Sequence, residues 1–279
     1  MKKYLSIAAL LAAGAAFANA ASVTYGEGGE NTVSAGEHDI YMLSGQDSYK
    51  SVKISSAEGD YTVNVLIGTG EGAEGTVDGM SVNSSSRNPV IITLRNGTLS
   101  GKIDTSGSTG AVNFDLQMGY TSTEDGGVSL MTRIAAGTSF VLSSNTTLEF
   151  NDMSSGTGEL VWDLSADDVA DQNVLISGSG TVEFSENVTI VLNFESKAAL
   201  DAVVNNNASF QLFGEGVAAT GLSNASWTVQ VAGKETGRTL SVNENGVATV
   251  VPEPSAFGLL AGLGALALVA SRRRRTKRA

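Results

Sequence analysis

The chain has 279 residues, with 29 acidic and 17 basic side chains, no cysteine and a formal net charge of −12. This composition excludes thiolate catalysis, cysteine metal sites and disulfide stapling, and the acidic balance disfavours nucleic acid or an anionic membrane surface as partner. The lone histidine, His38, is the only candidate base for a Ser-His-Asp triad.

The first 20 residues read as a secretory signal peptide. Lys2 and Lys3 form a positive start, residues 5–17 form an apolar run, and Ala18-Asn19-Ala20 supplies an A-x-A peptidase site with Ala18 and Ala20 as its small residues. The mature chain is expected to begin near Ala21.

Residues 21–250 are expected to form one β-rich exported domain. All 29 acidic residues lie within 21–255 against nine basic ones, a net charge of −20. Strands are predicted at Val90–Leu94, Thr147–Phe150, Thr181–Phe184, Val188–Phe194, Phe210–Phe213 and Trp227–Val231, from β-branched content and period-two alternation. Gly, Ser and Asn turns separate them, at Asn96-Gly97, Ser106-Gly107-Ser108, Ser154-Ser155-Gly156, Ser177 to Gly180 and Asn245-Gly246. A short helix is predicted over Glu195 to Val204 with Ser196 as cap, and a helical turn over Ser165 to Ala170. Pro89 is the only proline before the tail, so the ladders lose few donors.

A weak repeat joins a turn, a threonine and an aliphatic residue at Asn96 to Ser100, Asn145 to Glu149 and Ser179 to Glu183. Its threonines, Thr98, Thr147 and Thr181, are 49 and 34 residues apart. The fold expected is an irregular β-solenoid or β-helix, with an antiparallel β-sandwich as the alternative. In composition the body also resembles the strand repeats of autotransporter passenger domains.

The search for chemistry in this body returns mostly solvated charge. Asp167-Asp168, Glu124-Asp125 and Glu71 with Glu74 are the paired carboxylates a glycosidase would need, but adjacent pairs are expected among so many acidic residues. Trp162 and Trp227 sit in alternating strands and read as packing residues. No catalytic residue, resident metal or cofactor is assigned. Calcium is the one ion that turn oxygens at Asp104 to Gly107 or Glu124 to Gly127 would suit. Residues 68–75 read as a glycine-rich loop whose glutamates repel phosphate. Six N-x-[ST] sequons occur, at Asn83, Asn96, Asn145, Asn187, Asn207 and Asn224.

The last segment, 251–279, is the most specific. Pro252, Glu253 and Pro254 form a conformationally restricted tripeptide. Residues 256–270 are continuously apolar, and Arg272, Arg273, Arg274, Arg275, Lys277 and Arg278 follow as a basic stop. Fifteen helical residues rise roughly 22 Å, short of a hydrocarbon core about 30 Å thick. The basic cluster places the C-terminus in the cytoplasm by the positive-inside rule. These three parts resemble the bacterial PEP-CTERM sorting signal. The resemblance implies a single-pass membrane precursor that an exosortase-type enzyme processes near Glu253, and a mature form at the cell surface or outside the cell. The function expected is that of a non-enzymatic surface or extracellular-matrix protein, with an adhesin or a carbohydrate-binding or carbohydrate-active protein as the alternative. The partners expected are the membrane, through the C-terminal helix, the exosortase-type enzyme and an exopolysaccharide.

Overall fold

The computed structural model describes residues 21–25, 31–35, 40–43, 49–56, 62–68, 74–121, 129–152, 158–170, 173–205 and 209–251. In chain order the strands are β1 (Ala21–Tyr25), β2 (Asn31–Ala35), β3 (Ile40–Leu43), β4 (Tyr49–Ser56), β5 (Val63–Ile67), β6 (Gly75–Ser84), β7 (Val90–Leu94) and β8 (Gly97–Asp104). They continue with β9 (Val112–Gln117), β10 (Tyr120–Thr121), β11 (Ser129–Leu130), β12 (Thr132–Ile134), β13 (Ser139–Leu142), β14 (Thr146–Asn151), β15 (Leu160–Leu164) and β16 (Val174–Gly178). The last are β17 (Thr181–Phe184), β18 (Val188–Phe194), β19 (Ser209–Phe213), β20 (Ala218–Thr220), β21 (Ala225–Val231), β22 (Lys234–Val242) and β23 (Val247–Val251), with one α-helix, α1 (Lys197–Asn205), between β18 and β19. The protein is all-β, with this single α-helix and one 3₁₀ turn (Leu222–Asn224) among the described residues.

Two sheets carry the body. A seven-stranded sheet runs β20-β17-β14-β9-β7-β5-β3 and is parallel throughout. A fourteen-stranded sheet runs β12-β15-β18-β21-β22-β23-β19-β16-β13-β8-β6-β4-β1-β2. The chain passes repeatedly from one sheet to the other, and in the parallel ladders strands lie beside their counterparts from the preceding pass. Among the described residues, antiparallel pairing joins β1 with β2 and β4, the strands of the β21–β22–β23–β19 end and the small β10–β11 ladder, and an isolated antiparallel bridge links Gly119 with Glu159. The sandwich alternative would need hairpin pairing throughout; the central ladders are parallel instead.

The larger sheet departs from a simple stack of coils, because ten of its strands close into a ring through β8. The first half of β8 pairs with β12 (Leu99 opposite Ile134) and its second half with β13 (Ile103 opposite Phe140). Gly101 makes the bend between the halves. Its φ of +69° is a left-handed value, and a Cβ there would lie 2.8 Å from Asp78 Oδ1. Glycine alone accepts both conditions without strain.

Period-two alternation builds the core. In the parallel sheet Val65, Ile92, Phe114, Leu148 and Val182 stand opposite one another on successive strands, and all are buried. Ile67, Leu94, Leu116, Phe150 and Phe184 form a second inward ladder. Each such side chain contributes roughly 1.5–3 kcal/mol by leaving water. From β9 onward, aromatic rings reach across from both sheets. Phe140 meets Phe114 and Trp162 edge-on at 6.5 and 6.3 Å, and Phe150 stacks on Phe184 at 5.0 Å. Phe184 meets Trp227 at 5.6 Å.

Buried hydroxyls line a corner where the chain turns between sheets. Thr105 Oγ1 accepts from the Ser143 backbone N–H (2.9 Å) and lies 2.8 Å from Thr146 Oγ1, itself 2.9 Å from Ser143 Oγ. These groups satisfy turn backbone that would otherwise be orphaned in the interior. The helix begins two residues later than predicted, at Lys197. Ser196 caps it as expected, its Oγ accepting from the Ala199 N–H at 3.2 Å. Ala199, Leu200 and Val203 are its buried face.

Candidate functional site

The turn expected at Ser165 to Ala170 is present as a hydrogen-bonded turn, with the Ala170 N–H donating to the Asp167 carbonyl at 3.3 Å and the Asp168 N–H to Ser165 Oγ at 3.3 Å. Asp168 is buried, and its carboxylate accepts from the Ser165 N–H and Oγ, both at 2.7 Å, and from the Gly137 N–H at 3.0 Å. It ties two turns together, while Asp167 faces solvent. The two carboxylates of this candidate pair therefore do not converge on a common point. Glu124, Asp125 and Glu71 lie outside the described residues, as does His38, and Glu74 is exposed. Trp162 and Trp227 are buried in the core.

Asp104, expected in a polar or calcium-binding turn, is engaged by its own neighbours. Its Oδ1 accepts from the Ser106 N–H (2.9 Å) and Oγ (2.6 Å), and its Oδ2 pairs with Lys102 Nζ at 2.6 Å. Partial burial pushes the carboxyl up. The hydrogen bonds from Lys102 and from the Ser106 side chain and backbone, with the Lys102 charge, outweigh that and lower it from 3.8 to about 2. Among the described residues no group of three or more His, Asp or Glu is arranged to hold a metal ion.

One charged network joins several passes of the chain. Asp163 is buried, takes Arg133 Nη1 at 3.2 Å, and accepts from Asn193 Nδ2 at 2.7 Å. Asn193 Oδ1 in turn accepts from the Gly233 N–H at 2.8 Å, in the turn between β21 and β22. The network fastens the terminal hairpin to the stack.

The outer face of the parallel sheet carries two contrasting ladders. Asp115, Glu149 and Glu183 stand opposite one another on β9, β14 and β17. Asn113, Thr147 and Thr181, two residues earlier on the same strands, do likewise. The second ladder lines an open groove of about 480 Å³ together with Ser86, Arg87, Thr109, Gly110, Ala111, Ser144, Asn145 and Thr146. Sequence reasoning missed both ladders. Their signal was the alignment of Asn113-Phe114-Asp115-Leu116, Thr147-Leu148-Glu149-Phe150 and Thr181-Val182-Glu183-Phe184, of which only the last two were paired as a repeat.

The sequons divide by environment. Asn96 is buried, and its Oδ1 accepts from the Met131 N–H. Asn145 and Asn224 donate their amides to the carbonyls of Thr109 and Phe184. Asn83 and Asn187 are exposed, and Asn207 lies outside the described residues.

The exit of the chain is the remaining feature. β23 pairs with β22 on one side and with β19 on the other. Within it Val250 is buried and Val251 is half-open to solvent. Pro252 follows Val251 directly in sequence. Pro252, Glu253, Pro254, the apolar run 256–270 and the basic residues through Arg278 lie outside the described residues, as do Ala18 and Ala20. Among the described residues no helix is long and apolar enough to cross a membrane.

The last strand of the β body and the Pro-Glu-Pro tripeptide adjoin directly in sequence. A family model described as the PEP-CTERM protein-sorting motif matches residues 250–275, and the chain is a PEP-CTERM sorting domain-containing protein. The match begins at Val250, inside the last strand of the body. The motif implies export, a membrane-anchored precursor and an exosortase-type processing partner. No curated protein and no solved structure matches the chain.

Proposed function

We propose that this is a non-enzymatic protein of the cell surface or extracellular matrix, delivered and trimmed through its C-terminal signal. The carrying observation is the abutment of the sorting motif on β23. A cut near Glu253 would release the body with its last strand still held by β19 and β22. The body is read as an irregular β-solenoid whose uneven parallel passes are closed at one end by the β22–β23 hairpin. Such a body suits a spacer or matrix component, since stacked passes build length from local contacts.

A non-catalytic role is supported by what the described candidate acids do. Asp168 is committed to turn hydrogen bonds, and Asp104 to its own turn and Lys102. No cofactor is invoked.

The test is replacement of Pro252, Glu253 and Pro254 by alanine in the native host. The expected result is accumulation of an untrimmed precursor in the inner membrane and loss of the mature surface form. Unchanged size and location would remove the motif as the handle.

A further inference from the structure

We propose that the groove on the outer face of the parallel sheet binds an uncharged polysaccharide. This goes beyond the sorting role, which the alanine replacement tests separately. Three observations carry it.

The first is periodicity. Asn113, Thr147 and Thr181 lie on adjacent parallel strands in direct register. Adjacent strands are about 4.8 Å apart, so these side chains offer amide and hydroxyl groups at a regular spacing along the stack. A linear polymer of hydroxyl-bearing rings presents complementary donors and acceptors at a repeated interval.

The second is charge. The exported region holds 29 acidic residues, yet among the described residues no carboxylate lines this groove. Among the described residues its one ionic lining side chain is Arg87, which is exposed. A guanidinium offers several N–H donors in a planar fork and can serve pairs of ring hydroxyls. The Asp115, Glu149 and Glu183 ladder runs alongside, two residues further on each strand. That row repels polyanions at short range, so the groove favours a neutral chain over an acidic one.

The third is preorganisation. The rim is fixed by the Asn145 side chain, which donates to the Thr109 carbonyl at 2.7 Å and ties the turn before β14 to the turn before β9. The floor is sheet, whose inward neighbours Phe114, Leu148 and Val182 are buried. Little backbone ordering remains to be paid on binding. With no aromatic side chain among the described lining residues, affinity per site is low, and many copies on a surface would supply avidity.

The experiment is native electrophoresis of the full-length chain in mild detergent, through gels cast with a neutral glucan, a galactomannan or polygalacturonate. The expected result is migration slowed at least twofold by a neutral polymer and unchanged by polygalacturonate. The double variant Asn113→Ala/Thr147→Ala and the single variant Arg87→Ala should each lose at least half of the retardation, with thermal melts within a few degrees of the parent. Lys53→Ala, on β4 of the other sheet, should keep it. Retardation by neither neutral polymer, retardation untouched by the groove variants, or retardation by polygalacturonate alone would each overturn the proposal.

Discussion

The early passes of the chain and the later ones solve the same packing problem with different side chains. From β5 to β8 the inward residues are aliphatic: Val65, Ile67, Val77, Ile92, Leu94, Leu99 and Ile103 are all buried. From β9 onward Phe114, Phe140, Phe150, Trp162 and Phe184 take over. The length of a pass changes in parallel. It is 22 residues from Val90 to its partner Val112, 34 from Thr147 to Thr181 and 37 from Thr181 to Ala218. Part of the added chain goes into α1 and loops, and the later core is bridged by rings contributed from both sheets. The difference teaches that an uneven pass length is tolerated when side-chain volume rises with it, since interiors pack close to crystal density.

Substitutions in the two regions should separate them, the aromatic one first. Trp162→Ala removes a buried indole that touches both Phe140 and Phe150, and should cost about 4 kcal/mol in urea unfolding. Ile92→Ala, in the aliphatic region, should cost about 3 kcal/mol, because a smaller void is left. An equal or larger loss at Ile92 would remove the distinction. At the corner shared by both regions, Thr105→Val should cost about 2 kcal/mol, since the Ser143 N–H and Thr146 hydroxyl lose a buried partner.

The smallest effect concerns Asp104 at the end of β8, where the aliphatic region gives way. Its folded pKa of about 2 lies below the ordinary 3.8. Its contribution is therefore full above about pH 4 and fades as pH falls toward 2. Unfolding of the parent and Asp104→Asn should differ slightly at pH 6 and converge near pH 2. A difference that grows on acidification would reverse the assigned sign.

Much of this architecture is legible in the sequence. The strand at Val188–Phe194 and that at Thr181–Phe184 have the bounds expected, because each is β-branched or alternating and ends in a turn. The repeat is half right. Thr147 and Thr181 are true partners, whereas Thr98 sits in the other sheet opposite Thr76 and Arg133. A turn-threonine-aliphatic pattern fits any strand start, so it does not report which sheet a strand joins. The ring closure was not legible, because it depends on Gly101 bending β8 and on β12 reaching its first half. Asp168 was read as solvated charge, since adjacency to Asp167 says nothing about Gly137, 31 residues away. The groove escaped notice because its lining is gathered from several passes. The sorting tripeptide was legible at once, because its three parts are consecutive.

The account rests most heavily on the sorting segment abutting a complete β body, and intact mass spectrometry of the protein extracted from the cell surface tests this directly. The expected mass is that of a chain that begins near Ala21 and ends near Glu253, without the apolar run and the basic residues from Arg272 onward. A surface form that retains residues 256–279 would contradict it and make the protein a permanent single-pass membrane protein.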